Sequence, residues 1–242
     1  DISNHQTWYN AGLMAIASVR GDGDLVNKVL AMPGGFHDQL ARRVGRDGLW
    51  NEGSMAYHNY ALQAMMSIVE TGMRLGLPLQ NEPKFQAMIL APREACYPNG
   101  VFPAINDSDP IPLSTFQWSF DWAKKTYGDH RFDNLQPSTQ SQDLPDAGLA
   151  ILRQGEGANA VCTFLDYGPH GGGHVHFDKL NLMLYANGRE WLLDPGRLTY
   201  SHKEYKTWVK ETAAHNTVTI GGESQQATTG KLLFFQNEKS FA

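Results

Sequence analysis

The sequence predicts an α+β protein in two parts, a helical half followed by an antiparallel β-sheet half. Two observations carry this. Apolar residues recur at helical spacing up to about residue 128 and at alternating spacing beyond about residue 146. All the helices come first, rather than alternating with strands, which points to two domains and not to an α/β fold. Between the halves, residues 129–145 are polar and rich in Pro, Ser, Gln and Asp, the composition of a linker.

The elements follow in order. Trp8, Leu13, Met14, Ile16 and Ala17 form the stripe of a first helix ending near Arg20-Gly21. Leu25, Val26, Val29 and Leu30 make a short second helix, stopped by Pro33-Gly34-Gly35, and Phe36, Leu40 and Val44 a third. The longest is expected over 54–77, with Ser54 as its cap and Ala61, Leu62, Met65, Ile68, Val69 and Met73 on one face. Phe85, Met88 and Ile89 mark a fifth, and residues 116–125 a sixth. Helix pairs joined by short glycine-containing turns predict stacked hairpins, as in a helical barrel or solenoid. Strands are expected at 147–152, 160–166, 174–185, 190–193, 216–220 and 232–235, with Asn187-Gly188 as a tight hairpin turn.

Composition sets bounds on function. The chain has 242 residues, 41% of them hydrophobic, and a formal charge of −5, which argues against a general nucleic-acid binder. Cys96 and Cys162 fit neither a zinc-knuckle spacing nor a disulfide framework and read as buried small hydrophobes. No apolar run reaches the roughly 20 residues that cross a bilayer. The start at Asp1-Ile2-Ser3 and the end at Phe241-Ala242 both read as mid-domain sequence, so the chain is expected to be an internal piece of a longer protein.

The most informative stretch is Gly168-Pro169-His170-Gly171-Gly172-Gly173-His174-Val175-His176-Phe177-Asp178. It gathers three histidines around a glycine run, with Asp194, His202 and His215 following. Imidazole is the commonest metal ligand and titrates nearest neutrality, so this is a candidate site. Glycines there remove side chains where a turn or a close ligand needs space.

Five stretches carry a resemblance. Residues 168–180, Leu193-Asp194-Pro195-Gly196, Ala214-His215-Asn216-Thr217-Val218, and in the helical half Asn4-His5-Gln6-Thr7-Trp8-Tyr9 and 47–60 resemble the heparinase II/III-type polysaccharide lyases, including the alginate and oligoalginate lyases. The resemblance implies an incomplete α/α toroid followed by an antiparallel β-sandwich, with 1–128 the later part of the toroid, 129–145 a linker and 146–242 the first part of the sandwich. It also implies cleavage of a uronic-acid glycan by β-elimination, with alginate or its oligomers ahead of glycosaminoglycans. A non-catalytic carbohydrate-binding relative and a zinc hydrolase are the competing readings.

Elimination needs neutralisation of the uronate carboxylate, a base at C5 and an acid at the departing oxygen. By resemblance, Asn4 and His5 are the carboxylate-neutralising pair, Tyr57 the tyrosine at the glycosidic oxygen, and His174 a base or carboxylate contact. Tyr200 resembles a second family tyrosine, with Tyr205 as fallback. Tyr60 shares the helix face of Tyr57. Trp8, Trp50, Trp118 and Trp122 are candidate sugar-stacking walls, and Tyr60, Trp8, Trp50, Glu52 and His170 candidate substrate contacts. Lys179, Arg197 and Lys203 are either contacts to substrate carboxylates or solvated charges, and His202 reads as a solvated loop residue.

The resemblance implies a metal at His176, Asp194 and His215, a set that suits Zn2+ in a supporting role, with no organic cofactor. A regular hairpin at Asn187-Gly188 would pair Asp194 with Asn181 and His176 with Thr199, on opposite faces, so the triad needs a bulge or a strand end near Pro195-Gly196. Asp178, on the face of His174 and His176, is the alternative carboxylate. The expected partner is an acidic polysaccharide or oligosaccharide, with neither nucleic acid nor membrane, and the expected location of the full-length protein is periplasmic or secreted.

Overall fold

A computed structural model describes residues 3–170 and 173–237. Gly171 and Gly172 of the glycine run lie outside the described residues. Among the described residues six α-helices come first: α1 Asn4–Arg20, α2 Gly23–Ala31, α3 Phe36–Arg43, α4 Met55–Arg74, α5 Pro83–Leu90 and α6 Gln117–Tyr127. Five strands then form one antiparallel sheet in sequence order: β1 Gln142–Leu144, β2 Leu149–Gln154, β3 Val161–Asp166, β4 Asn181–Ala186 and β5 Arg189–Leu192. No helix among the described residues is long and apolar enough to cross a membrane.

Local chemistry sets the helix ends. α1 stops at Gly21, left-handed at φ 63, whose N–H bonds back to the last turn. Asp22 caps α2 by accepting from Leu25 N at 3.0 Å, and Pro83 opens α5 where its missing N–H costs nothing. Ser54 holds the position before α4, but its hydroxyl donates to Asp107 O at 3.1 Å instead of capping the helix. That bond ties the start of the longest helix to a distant loop.

One core runs through both halves. Met14, Leu62, Met65, Ile68 and Phe85 are buried between the helices. Ile151, Cys162, Phe164, Met183 and Tyr185 from one sheet face join the same cluster. Tyr97 bridges the two, its ring edge-on to Phe164 at 5.2 Å and stacked on Tyr185 at 5.3 Å. The inner face also carries Arg153, whose guanidinium donates to the main-chain oxygens of Glu94, Cys96 and Gln140 and fastens the sheet to the helical half. Within 129–145, Phe132 is buried against Phe120 and Tyr127, and the last residues form β1.

The sheet is shorter than its alternating pattern predicted. Asn187 and Gly188 have φ 52 and 77, the geometry of the tight turn expected there. Tyr185 pairs with Glu190, but Leu184 pairs with Leu192, so Trp191 is an extra residue in β5. Residues 174–180 are not a strand. Their main chain bonds to loops, with Asp107 N donating to His174 O and Phe177 N to Lys210 O, and Leu180 turns left-handed at φ 66. Residues 216–220 and 232–235 also form no strand among the described residues, although Leu182 N of β4 donates to Asn216 O at 3.0 Å. Gly148 packs where a side chain has no room: a Cβ there would lie 1.8 Å from Gly168 Cα.

Candidate active site

The seam between the two halves gathers residues from widely separated motifs. Tyr57, in the first turns of α4, stacks its ring on His174, with centroids 3.7 Å apart and 21° between planes. Its hydroxyl makes a short hydrogen bond with that of Tyr200, which in turn lies 3.4 Å from His174 Nδ1. Tyr200 is 48% exposed, so the cluster opens to solvent. Tyr205 packs edge-on to Tyr200 at 5.0 Å and is buried. Of the two tyrosines the sequence offered, Tyr200 lies against His174 at the opening and Tyr205 packs beneath Tyr200.

Electrostatics separate the roles of these groups. Burial pushes the Tyr57 hydroxyl above its ordinary value, and the bond to Tyr200 adds to this, outweighing the lowering pull of Arg197. Tyr57 is therefore protonated at neutral pH. Arg197 lies beside the cluster with its guanidinium on Asp109, at 2.7 and 3.0 Å.

A loop the sequence did not single out organises the seam. Asp107, fully buried, faces His174 Nδ1 and His176 Nε2, each at 2.9 Å, and accepts from the Tyr205 hydroxyl at 2.6 Å. Burial alone would raise its carboxyl, but these three bonds hold it well below the usual carboxylate range. The only signal was the turn-forming run Asn106-Asp107-Ser108-Asp109-Pro110.

Other expected residues are arranged differently. Asn4 is buried at the start of α1 and donates from Nδ2 to Glu52 Oε2 at 2.7 Å, while His5 is exposed. Neighbouring helix positions point about 100° apart, so the two cannot face one way. Glu52 also accepts from Trp50 Nε1 at 3.0 Å, and Trp50 is 2% exposed. Glu52 and Trp50 are thus a buried brace behind Asn4 rather than a sugar-stacking wall. Trp8 packs on Tyr60 at 5.3 Å, and His170 stacks on Phe177 at 4.9 Å. Trp118 and Trp122 pack against the core. Lys179 is no free contact for a substrate carboxylate: it is buried between Asp166 at 2.9 Å and Asp178 at 3.1 Å, whose charges hold its ammonium above the ordinary value against the effect of burial. Lys203 and His202 are exposed. A cavity of about 460 Å³ adjoins the cluster, lined by Trp50, Ser54, His58, Asn106, Val175 and Lys179.

His176, Asp178 and His215 converge beside this cluster, all buried, with one potential ligand atom from each within 4.8 Å of the others. Asp194 stands one step back: its Oδ2 is 2.9 Å from His215 Nδ1 and accepts from Asn181 Nδ2, and its Oδ1 accepts from Gly196 N. β5 ends at Leu192, so Asp194 lies beyond the paired part of the sheet. His176 Nδ1, His215 Nε2 and Asp178 Oδ2 have no hydrogen-bond partner among the described residues, while Asp178 Oδ1 meets the Lys179 ammonium at 3.1 Å. Buried polar atoms left this way are costly, and two imidazoles with one carboxylate, each imidazole braced by a carboxylate at its far nitrogen, fit a zinc ion.

Known proteins resemble the chain in both of its halves. A family described as alginate lyase matches residues 1–91, and one described as heparinase II/III-like, C-terminal, matches 136–238. An exo-oligoalginate lyase of Saccharophagus degradans is 39% identical over 92 residues, 34% of this chain and 12% of that protein. An alginate lyase of Stenotrophomonas maltophilia is 35% identical over 96 residues, 34% of this chain and 13% of that protein. A heparin-sulfate lyase of Bacteroides stercoris is 26% identical over 106 residues, 42% of this chain and 16% of that protein. Among solved structures, a heparinase III superposes with TM-score 0.82 at 19% identity, covering 98% of this chain and 40% of that one. The heparan sulfate lyase HepC of Pedobacter heparinus gives 0.69 at 23%, covering 80% and 33%. At such identities the superpositions show a shared fold. The chain thus spans only a small part of these relatives' length, its first 91 residues matching the alginate lyase family and residues 136–238 the C-terminal heparinase II/III-like family.

Proposed function

We propose that the protein carrying this chain cleaves a uronate-containing polysaccharide by β-elimination, with alginate or its oligomers as substrate. The meeting of Tyr57, His174 and Tyr200 at the seam carries this reading, because it supplies a proton donor and an acceptor side by side. The alginate preference rests on the alginate lyase match over the half that holds Asn4 and Tyr57. The two alginate-acting relatives are also more similar, at 39% and 35%, than the heparin-acting one at 26%.

In the proposed reaction, His174 takes the proton from C5 of the uronate. The bond from C4 to the glycosidic oxygen breaks as a C4–C5 double bond forms, and Tyr57 returns a proton to the departing oxygen. Asn4, held by Glu52, serves the substrate carboxylate, onto which charge spreads as the C5 proton leaves. Tyr200 lies between solvent and the pair and passes protons to Tyr57. His176, Asp178 and His215 would hold zinc, which would supply fixed positive charge and a rigid floor beside the groove.

The test is incubation of the full-length protein with alginate, heparan sulfate, hyaluronan and chondroitin, following the ultraviolet absorbance of unsaturated uronate. A rise with alginate supports the reading. A rise only with a sulfated glycan moves the substrate class, and new reducing ends without a rise overturn elimination.

A further inference from the structure

One carboxylate touches two histidines with different duties. Asp107 Oδ2 faces His174 Nδ1 and Oδ1 faces His176 Nε2, each at 2.9 Å. The same short segment reaches every part of the seam. Asp107 N donates to His174 O at 3.0 Å, and Asp107 O accepts from Ser54 Oγ, just ahead of the helix that carries Tyr57. Asn106, left-handed at φ 57, accepts from His176 N and donates to Gly53 O, both at 3.0 Å.

An ionised carboxylate only accepts hydrogen bonds, so each histidine nitrogen facing it carries a proton. The opposite nitrogen of each ring keeps its lone pair. The outcome is opposite in the two rings. His174 is protonated at Nδ1 and is basic at Nε2. His176 is protonated at Nε2 and offers Nδ1, the atom left without a partner among the described residues, to a cation.

We infer that Asp107 is the positioning residue of this site, setting the tautomers of the groove histidine and the metal-facing histidine together and so joining the metal centre to the groove. His215 shows the unshared arrangement, with Asp194 as its own acceptor at 2.9 Å. Asparagine at 107 has one accepting oxygen and one donating amide, so it can serve only one of the two rings in its present tautomer. Its effect on turnover rests on the lyase reading above; the tautomers and the metal affinity do not.

The experiment is nitrogen-15 NMR of the histidine rings in the metal-free full-length protein, with signals assigned through His174→Gln and His176→Gln. The expected result is a proton on Nδ1 of His174 and on Nε2 of His176. In Asp107→Asn at least one ring changes tautomer, zinc affinity from chelator competition falls about 10–100-fold, and kcat falls by a similar factor with KM little changed. A wild-type His174 protonated at Nε2, or an Asp107→Asn protein with both tautomers and zinc affinity intact, overturns the inference. Should the variant not fold, the wild-type tautomers decide the matter. Predicted tautomers without elimination on any uronate polymer would remove the lyase reading alone, and elimination with the opposite tautomers would remove this inference alone.

Discussion

The ring of Tyr57, from the helical half, lies flat against that of His174, from the sheet half, at 3.7 Å between centroids. Neither half could form this contact by itself. The continuous core beneath it, with Tyr97 wedged between Phe164 and Tyr185, fixes the two halves closely enough for such a pair to be a working geometry.

Removing the Tyr57 hydroxyl leaves the ring stack but takes away the proton donor. Tyr57→Phe is expected to lower kcat for elimination by about 10²–10⁴-fold while glycan binding persists. Steady-state assays paired with calorimetric binding of an alginate oligomer check this.

Zinc held at His176, Asp178 and His215, as proposed above, would stabilise the folded chain by mass action. At a thousandfold excess over Kd the gain is about 4 kcal/mol. Chelation should therefore lower the melting temperature of the wild type, and much less that of His176→Ala or Asp178→Asn. Scanning calorimetry with metal analysis of the same samples reads both.

His58 is buried, with Nδ1 accepting from Trp50 N at 3.1 Å and Nε2 donating to Met88 O at 3.0 Å. Burial pushes it down from 6.5 to about 4. A depressed histidine contributes stability that is complete above the unfolded value and is lost as pH falls through the folded one. Between pH 7 and pH 4 this loss is about 3 kcal/mol. Urea unfolding across that window should show a steeper decline for the wild type than for His58→Gln.

Tyr97 is fully buried, and its hydroxyl has no partner among the described residues. An unpaired buried hydroxyl costs more than it returns, so Tyr97→Phe is expected to raise stability by about 1 kcal/mol. Equilibrium denaturation at constant pH measures it.

Much of the architecture could be read from periodicity. The helical stripes ended at Gly21 and Gly128, where left-handed backbone closes a helix, and Asn187-Gly188 marked its hairpin because both residues must turn to positive φ. Residues 174–180 failed that reading: an alternating pattern serves equally for a strand and for an extended segment bonded to loops. Of the cluster, Tyr57 and Tyr200 were legible only through motif resemblance, whereas His174 also stood out among the clustered histidines. Asp107 was not legible, since a lone aspartate in a turn-rich loop has no pattern of its own, and its importance lies entirely in what folds around it. Asp178, which the sequence offered as the alternative carboxylate, takes the place of Asp194 in the converging set.

The account depends most on the bond-breaking chemistry at the Tyr57–His174 junction, and the masses of the products test it directly. A defined alginate oligomer is digested by the full-length protein, and each pair of fragments is weighed by mass spectrometry. Elimination predicts fragments whose masses sum to that of the oligomer, formed by the wild type and not by His174→Gln. Fragments heavier in sum by one water, or undiminished elimination by His174→Gln, would contradict it.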